Sequence, residues 1–157
     1  QYGETLVVPE SSINEQTKYV IGTNGEKMSK SKNNIINIFL EEKLLKKQIM
    51  SIETDSKPLE SPKNPETCNV FKIYSLLASN EMIEDLRSKY KNGGFGYGHA
   101  KKELLDLILN KFSKPREKYN YLMSNKNEID QILNEGSKKA SKTANQVMDR
   151  VRKKLGY

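Results

Sequence analysis

Cysteine is almost absent from this 157-residue sequence, which contains Cys68 alone. One cysteine cannot form an internal disulfide bond, and such isolation is typical of proteins from the reducing cytoplasm. The sequence also contains a single histidine, so Cys68 cannot complete a zinc site built from cysteine and histidine ligands. Disulfide-stapled secreted domains and zinc modules are therefore excluded, and we expect no metal-ligating residues in the chain.

Long hydrophobic runs are absent as well. No apolar run approaches the roughly 20 residues that a membrane-spanning helix requires, and no signal peptide opens the sequence. We therefore expect a cytoplasmic protein that has no membrane partner. Hydrophobic residues make up 35% of the sequence and charged residues 30%, a balance that favours a helix-rich module with much of its surface exposed.

An initiating methionine is also missing, since the sequence starts at Gln1. The apolar residues within 4–8 come directly before Pro9 and predict the end of a buried strand, because proline cannot donate to a β-ladder. Nothing further along the sequence has the pattern of a partner strand. We therefore expect the sequence to be a piece of a longer protein.

Acidic residues are scarce in the second part of the sequence. Residues 1–60 carry 8 lysines and arginines against 9 acidic residues, a net charge of −1, whereas residues 61–157 carry 19 against 11, a net charge of +8. A basic surface favours a polyanionic partner such as nucleic acid, because lysine and arginine contacts to phosphate dominate that affinity. Lysine-rich helices that only keep a protein in solution would show the same charge, so both explanations stay open.

Turn and periodicity signals predict helices around one prominent loop. Asn24-Gly25 predicts a tight turn after a short extended piece at 19–21, because both residues tolerate positive φ. Residues 41–50 predict a helix, since their apolar side chains fall on one helical face. Three prolines between residues 54 and 67 indicate either a linker or a long ordered loop.

After this proline stretch the apolar spacing is helical throughout. Three successive segments each have one apolar face, and the third starts near residue 99 and meets Pro115, which should kink or interrupt it. The last helix carries apolar residues at spacings of three, four and seven, and Gly156 is placed to end it. Ala140 and Ala144 within it would allow close contact with neighbouring helices, so the second half predicts a helical bundle.

Two further features could suggest nucleotide chemistry. Residues 93–99, GGFGYGH, contain Gly-x-Gly-x-Gly, but a dinucleotide-binding loop needs a strand before it, and a helical pattern precedes this one. We expect a helix–helix connection in which Phe95 and Tyr97 pack, with an aromatic contact to a nucleotide base as the alternative. His99 has no acidic or cysteine partner nearby in the sequence, so it should begin a helix or lie on its surface.

The lysine loop, residues 24–34 with the sequence NGEKMSKSKNN, is the main candidate site. Lys27 and Lys30 flank Met28 and Ser29 behind a glycine-containing entry that permits close approach of the backbone to a ligand. A lysine ammonium is a mobile charge suited to phosphate, and serine hydroxyls and backbone N–H groups can complete an anion-binding site. A Lys-x-x-Lys turn is also common as a plain solvated loop, and these residues alone leave both possibilities open.

Residues 27–31, KMSKS, are identical to the second signature sequence of class I aminoacyl-tRNA synthetases. The chain as a whole resembles the C-terminal half of bacterial-type tryptophanyl-tRNA synthetases. A tyrosyl enzyme, the nearest relative, usually has a different lysine signature and an appended RNA-binding module, and neither is present. The stretches that carry the resemblance are IMSIETDS at 49–56, NVFKIYSLLAS at 69–79, GYGHAKKELLDLI at 96–108, KPREKYNYL at 114–122 and ILNEGSKKASKTANQVMDRVRKKLG at 132–156.

The resemblance implies a ligase that activates tryptophan with ATP, assisted by Mg²⁺, and transfers it to the 3′ end of tryptophan tRNA. By position in the signature, Lys27 and Lys30 would stabilise charge on the departing pyrophosphate, with Lys30 the first choice. Ser29 and Ser31 would orient phosphate oxygens or the loop itself. Met28 would lie near the adenosine.

The resemblance implies further that Ile13 contacts adenine through its backbone. It supplies no short motif for the residues that contact tRNA. The first class I signature, a His-Ile-Gly-His-type stretch, is absent from the sequence, so we expect this chain alone to be inactive. The intact enzyme of this family is expected to be a homodimer.

The implied fold is mainly α, a helical bundle preceded by the short strand and loop that end a nucleotide-binding α/β domain. We expect residues 1–36 to form the C-terminal edge of the catalytic domain, with the lysine loop. Residues 37–157 would form the helical domain that meets the anticodon region of tRNA. The alternative to a ligase fragment is a non-catalytic helical RNA-binding module that retains the loop as a relic.

Overall fold

The computed structural model describes residue 3, residues 5–14 and residues 17–157. These residues contain six α-helices and no β-strand, which confirms the prediction of a mainly α fold. No helix among them is long and apolar enough to cross a membrane. The helices are α1 (Glu42–Met50), α2 (Asn69–Ser75), α3 (Asn80–Asn92), α4 (Tyr97–Lys111), α5 (Ser113–Ser124) and α6 (Lys126–Leu155).

The described residues divide into two compact units, one within 14–117 and the other within 1–13 and 118–157. This grouping does not test the functional boundary after residue 36, which stays a prediction. In the first unit, α1 and α2 pack against α4, and α3 packs against α2. Each fully buried leucine or isoleucine in such a core stabilises the fold by about 1.5–3 kcal/mol. Its fully buried large apolar side chains are Leu45, Ile49, Ile52, Val70, Leu86, Tyr90, Leu104 and Ile108.

The proline stretch is a long ordered loop and not a linker. The loop is held together by hydrogen bonds from Lys63, which is only 3% exposed. The Nζ atom of Lys63 donates to the carbonyl oxygens of Pro58, Leu59 and Ser61 at 3.2, 3.1 and 3.1 Å. The ammonium also lies 5.3 Å from the centre of the Tyr97 ring, a cation–π contact. A buried lysine is tolerated here because these carbonyls and the ring replace its lost hydration.

The interruption at Pro115 is confirmed. Helix α4 ends at Lys111, and α5 begins at Ser113 with Pro115 in its first turn. Proline is accommodated in a first turn because the N–H groups there have no partner within the helix. The predicted end of the last helix is confirmed too, since Gly156 follows α6 with a left-handed φ of 87°.

The strand predicted at residues 4–8 is wrong for residues 5–8, and residue 4 lies outside the described residues. Leu6, Val7 and Val8 are 64%, 87% and 85% exposed. A strand requires a hydrogen-bonded neighbour, and no described segment pairs with these residues. The apolar composition alone could not supply that neighbour.

Close packing of Ala140 and Ala144 against other helices was also expected wrongly, because both side chains are exposed. Helix α6 has 30 residues and none of them is buried. Its apolar positions include Leu133, which is 63% exposed, and Met148, which is 44% exposed. The apolar periodicity correctly predicted the helix, but it could not show whether another element covers the apolar face.

Candidate phosphate-binding loop

The lysine loop grows out of a small hairpin. Ile21 and Lys27 form an antiparallel bridge, and the backbone N–H of Met28 donates to the carbonyl of Val20 at 2.9 Å. Between them, Gly25 turns the chain with a φ of 77°, a value that favours glycine. The short extended piece and the turn predicted from Asn24-Gly25 are therefore confirmed.

The five signature residues follow this turn. Lys27, Lys30 and Ser31 are exposed, whereas Met28 and Ser29 are partly buried. The hydroxyl oxygens of Ser29 and Ser31 are 2.9 Å apart and hydrogen-bonded to each other. Within the described part of the chain, neither the ammonium of Lys27 nor that of Lys30 has a hydrogen-bond or ion-pair partner. Within five residues, the loop therefore carries two lysine ammonium groups without such partners and two serine hydroxyls. This set of groups suits an anion.

The neighbouring charges on the lysine loop neutralise each other. Lys32 forms an ion pair with Glu26 across the loop, with 2.8 Å between Nζ and Oε2. The hydrogen bond from Lys32 lowers the pKa of Glu26 below its usual value, and the same bond raises the pKa of Lys32. Because Glu26 is engaged in this way, its charge is taken up by Lys32 and not by the signature lysines. In the sequence, two opposite charges within the loop are the only sign of this ion pair, and they do not predict it.

A buried asparagine, Asn34, joins the two ends of the lysine loop, which we call its root. Asn34 is 2% exposed, and its Oδ1 accepts a hydrogen bond from the backbone N–H of Ser29 at 2.8 Å. Its Nδ2 donates to Oδ1 of Asn24 at 2.7 Å and to the carbonyl of Lys27 at 3.2 Å. Asn34 could not be recognised from the sequence, because an asparagine in a polar stretch normally indicates a solvated turn.

Further hydrogen bonds fix the root of the loop to the helices of its unit. The backbone N–H of Glu53 donates to the carbonyl of Thr23 at 2.7 Å, and Asn69 at the start of α2 donates to the carbonyl of Glu53 at 3.0 Å. On the other side of the loop, the backbone N–H of Asn37 donates to Oε1 of Gln48 in α1 at 2.9 Å. The loop therefore extends from a root that is held by α1 and α2.

The other residues predicted from the sequence lie outside residues 24–34. Ile13 lies outside any helix and is 67% exposed, and its contact with adenine stays a prediction. His99 is exposed in the first turn of α4, as expected. Phe95 and Tyr97 lie at the helix–helix connection and pack against the core, which confirms the structural interpretation of that glycine-rich segment. The Tyr97 hydroxyl donates to Asp55 at 2.6 Å, and burial raises the pKa of Tyr97 above its usual value.

The donor set of the lysine loop suits phosphate better than a metal ion. Its ammonium, hydroxyl and N–H groups donate to anionic oxygens, whereas Mg²⁺ requires oxygen ligands such as carboxylates. The only carboxylate of the loop, that of Glu26, is paired with Lys32. No group of three or more histidine, cysteine or acidic residues that could hold a metal lies among the described residues.

Comparison with known proteins identifies the family. A family model described as tRNA synthetases class I (W and Y) matches residues 2–113, more than half of the chain. The chain belongs to this family. The matched region includes the KMSKS stretch at residues 27–31. The resemblance to class I synthetases that this stretch indicated is therefore confirmed.

Within this family, the chain is similar to individual tryptophan–tRNA ligases. The tryptophan–tRNA ligase of Campylobacter jejuni (strain RM1221) is 45% identical over 156 residues, which cover 99% of this chain and 49% of the relative. The tryptophan–tRNA ligase of Fusobacterium nucleatum is 47% identical over 157 residues, which cover 99% of this chain and 48% of the relative. The chain thus spans about half the length of the curated relatives it matches.

Solved structures agree with these relatives. The crystal structure of tryptophanyl-tRNA synthetase from Campylobacter jejuni, complexed with ADP and tryptophan, superimposes with a TM-score of 0.86 at 44% identity. The match covers 100% of this chain and 49% of the solved one. A second crystal structure of tryptophanyl-tRNA synthetase from the same organism gives a TM-score of 0.80.

Proposed function

We propose that this chain is the part of a tryptophan–tRNA ligase that carries the lysine loop and the helical domain. The observation that carries the proposal is the pair of ammonium groups on Lys27 and Lys30, which have no partner among the described residues and lie in a signature typical of class I tRNA synthetases. Similarity to tryptophan–tRNA ligases over nearly the whole chain supports tryptophan as the amino acid. Residues 1–36 then belong to the catalytic domain and residues 37–157 to the tRNA-contacting domain.

The proposed reaction begins with attack of the tryptophan carboxylate on the α-phosphorus of ATP. Tryptophanyl-adenylate forms, the bond to the β-phosphate breaks, and pyrophosphate leaves with increased negative charge. Lys27 and Lys30 stabilise that charge, because donors aimed at developing charge lower the barrier more than they stabilise the substrate. At about 4 Å, a lysine and a phosphate charge attract by roughly 1 kcal/mol in water and about 4 kcal/mol near a protein surface.

The remaining loop residues orient the nucleotide in this proposal. The hydroxyls of Ser29 and Ser31 already lie side by side and can each turn a proton toward a phosphate oxygen. Met28 contributes apolar contact near the adenosine, and the backbone of Ile13 meets the adenine. Mg²⁺ would enter together with ATP and would offset phosphate charge, while the lysine loop itself supplies donors to the phosphates, its carboxylate being paired with Lys32.

The second step transfers tryptophan to the 3′ end of tryptophan tRNA, and the partners follow from it. We place the intact enzyme in the cytoplasm, as a homodimer that uses tryptophan, ATP and tRNA. The alternative, a non-catalytic RNA-binding module, explains the basic charge equally well. It does not explain why the chain is similar to ligases over 99% of its length, so the ligase fragment is favoured.

Replacement of Lys30 tests the assigned role of the loop. In the intact enzyme, Lys30→Ala should lower the rate of tryptophan-dependent ATP–pyrophosphate exchange by at least about 10²-fold, the usual effect of removing one such donor. Thermal unfolding should be unchanged, because the ammonium has no partner among the described residues. Lys43→Ala, which removes an exposed lysine from α1, is the matched control. A Lys30→Ala rate equal to that of the control would contradict the proposal.

A further inference from the structure

We propose that Asn34 is a positioning residue for the signature lysines, holding the backbone on both sides of Met28 in the geometry that presents Lys27 and Lys30 to phosphate. This inference rests on the proposed function and extends it to a residue outside the five-residue signature. The role belongs to the side-chain amide, which is 2% exposed and cannot reach a ligand itself.

Both polar atoms of the Asn34 amide are hydrogen-bonded. Its two N–H groups donate to Oδ1 of Asn24 and to the carbonyl of Lys27, and its oxygen accepts from the N–H of Ser29. One side chain therefore joins the turn, the first signature residue and the third. Both peptide groups that flank Met28 are restrained, so the direction in which Lys27 leaves the backbone is restrained with them.

The space around the Asn34 amide is narrow. A Cβ atom on Gly22 would lie 2.3 Å from the carbonyl oxygen of Asn34 and 2.5 Å from its side-chain Cγ. The N–H of Thr23 also donates to the carbonyl of Asn34 at 2.9 Å. Glycine at position 22 thus permits the close approach, and little room is left for a longer glutamine in place of Asn34.

The neighbours of residue 34 require an amide and not a carboxylate. Aspartate has the same shape as asparagine, but it would direct a carboxylate oxygen at Oδ1 of Asn24 and at the carbonyl of Lys27. Two favourable hydrogen bonds would become repulsive contacts, while the bond from the N–H of Ser29 could remain. An amide is therefore the group that satisfies all three neighbours of residue 34.

The backbone of Lys30 is restrained by related hydrogen bonds. It is bonded directly to Ser29, whose N–H is held by Asn34, and its own carbonyl accepts from the N–H of Asn33 at 3.1 Å. Asn33 adopts a left-handed φ of 51° that turns the chain back toward Asn34. The exposed ammonium of Lys30 thus extends from a backbone that is fixed at both ends of this short turn.

The test measures adenylation kinetics in the intact enzyme. Asn34→Ala should lower kcat for ATP–pyrophosphate exchange by between about tenfold and 10²-fold, the effect expected when catalytic groups shift by a fraction of an ångström to about 1 Å. The KM for tryptophan should stay within about twofold of the wild-type value, because the change acts on transition-state charge. Asn110→Ala is the control, since it removes an exposed amide from α4 outside the lysine loop.

A merely structural role is separated from positioning by combining variants. If Asn34 acts through the lysines, Asn34→Ala should reduce kcat by less than about threefold in an enzyme that already carries Lys27→Ala and Lys30→Ala. A further reduction as large as in the wild-type background would overturn the inference. So would an Asn34→Ala enzyme as active as the Asn110→Ala control.

The remaining outcomes are also decisive. Should Asn34→Ala fail to fold, Asn24→Ala removes one acceptor of the amide and leaves Asn34 in place, and it should lower kcat by a smaller factor. Asn24→Ala at the control rate would then refute the inference. Normal exchange by Lys30→Ala would overturn the proposed function and this inference together, whereas an impaired Lys30→Ala with a normal Asn34→Ala would overturn the inference alone.

Discussion

Gly93 and Gly94 have nearly the same φ, 74° and 73°, but they stand in different surroundings. A Cβ atom on Gly93 would lie 2.2 Å from the carbonyl oxygen of Glu60, whereas a Cβ atom on Gly94 would meet nothing within 4 Å. The backbone around Glu60 cannot retreat easily, because the buried Lys63 holds three carbonyls of the same loop. At this scale, one atom decides whether a substitution is tolerated.

We therefore expect Gly93→Ala to destabilise the chain more than Gly94→Ala. The strain of a positive φ costs about 1–2 kcal/mol at either position. At Gly93, the positive φ is combined with a ψ of 179°, a backbone conformation that is almost restricted to glycine. The steric conflict with Glu60 raises the free-energy cost of an alanine further. Urea unfolding of the two variants measures the difference. Equal free energies of unfolding would mean that the loop of Glu60 moves aside.

At the scale of secondary-structure elements, helix α3 differs from its neighbours in how it begins. The Ser79 hydroxyl accepts a hydrogen bond from the N–H of Met82 at 3.4 Å. The same hydroxyl donates to the carboxylate of Glu81 at 2.8 Å. Helices α1, α2 and α4 begin without a side-chain bond of this kind. Helix α3 therefore depends on its N-cap, while its burial is concentrated at Leu86 and Tyr90.

Ser79→Ala should lower the free energy of unfolding by about 1 kcal/mol, the usual cost of losing a serine N-cap. Ser79→Asn should recover most of that loss, since asparagine caps equally well. Ser88→Ala, at an exposed position within the same helix, is the control and should be neutral or slightly stabilising, because alanine favours helix interiors. The prediction fails if the two serine-to-alanine changes have the same effect in thermal or urea unfolding.

The charge of the whole molecule is concentrated in the part that contains α2 to α6. Residues 61–157 carry a net charge of +8, against −1 for residues 1–60. The family model ends at residue 113, but the similarity to tryptophan–tRNA ligases continues through the basic α6. A long helix with no buried residue and several lysines offers its charge to a large polyanion more readily than to a small substrate.

We expect this chain to bind tryptophan tRNA with an affinity that falls by about tenfold or more between roughly 50 and 200 mM salt. Neutralisation of about two phosphates already gives an effect of that size. Titration of the chain with tryptophan tRNA, and with the same tRNA carrying an altered anticodon, measures both affinity and specificity at each salt concentration. Preference for the correct anticodon would mean that the helical part reads RNA by itself. Failure to bind either tRNA at low salt would contradict the proposed tRNA-contacting domain.

Local features of the fold could be predicted from the sequence because they depend on neighbouring residues. The turn at Asn24-Gly25, the interruption near Pro115 and the helix end at Gly156 each follow from φ preferences or from a missing N–H group. The lysine loop was identified by the identity of residues 27–31 with a known signature. In each case the determining chemistry lies within a few positions along the chain.

Burial and pairing were decided only by the tertiary structure. Asn34 and Lys63 are polar, and sequence patterns assign such residues to the surface, yet both are buried because carbonyls, amides or a ring surround them. The apolar residues 6–8 showed the opposite error, since they are exposed where no described segment pairs with them. A residue's own chemistry determines what partners it requires, but only the folded chain determines whether those partners are within reach.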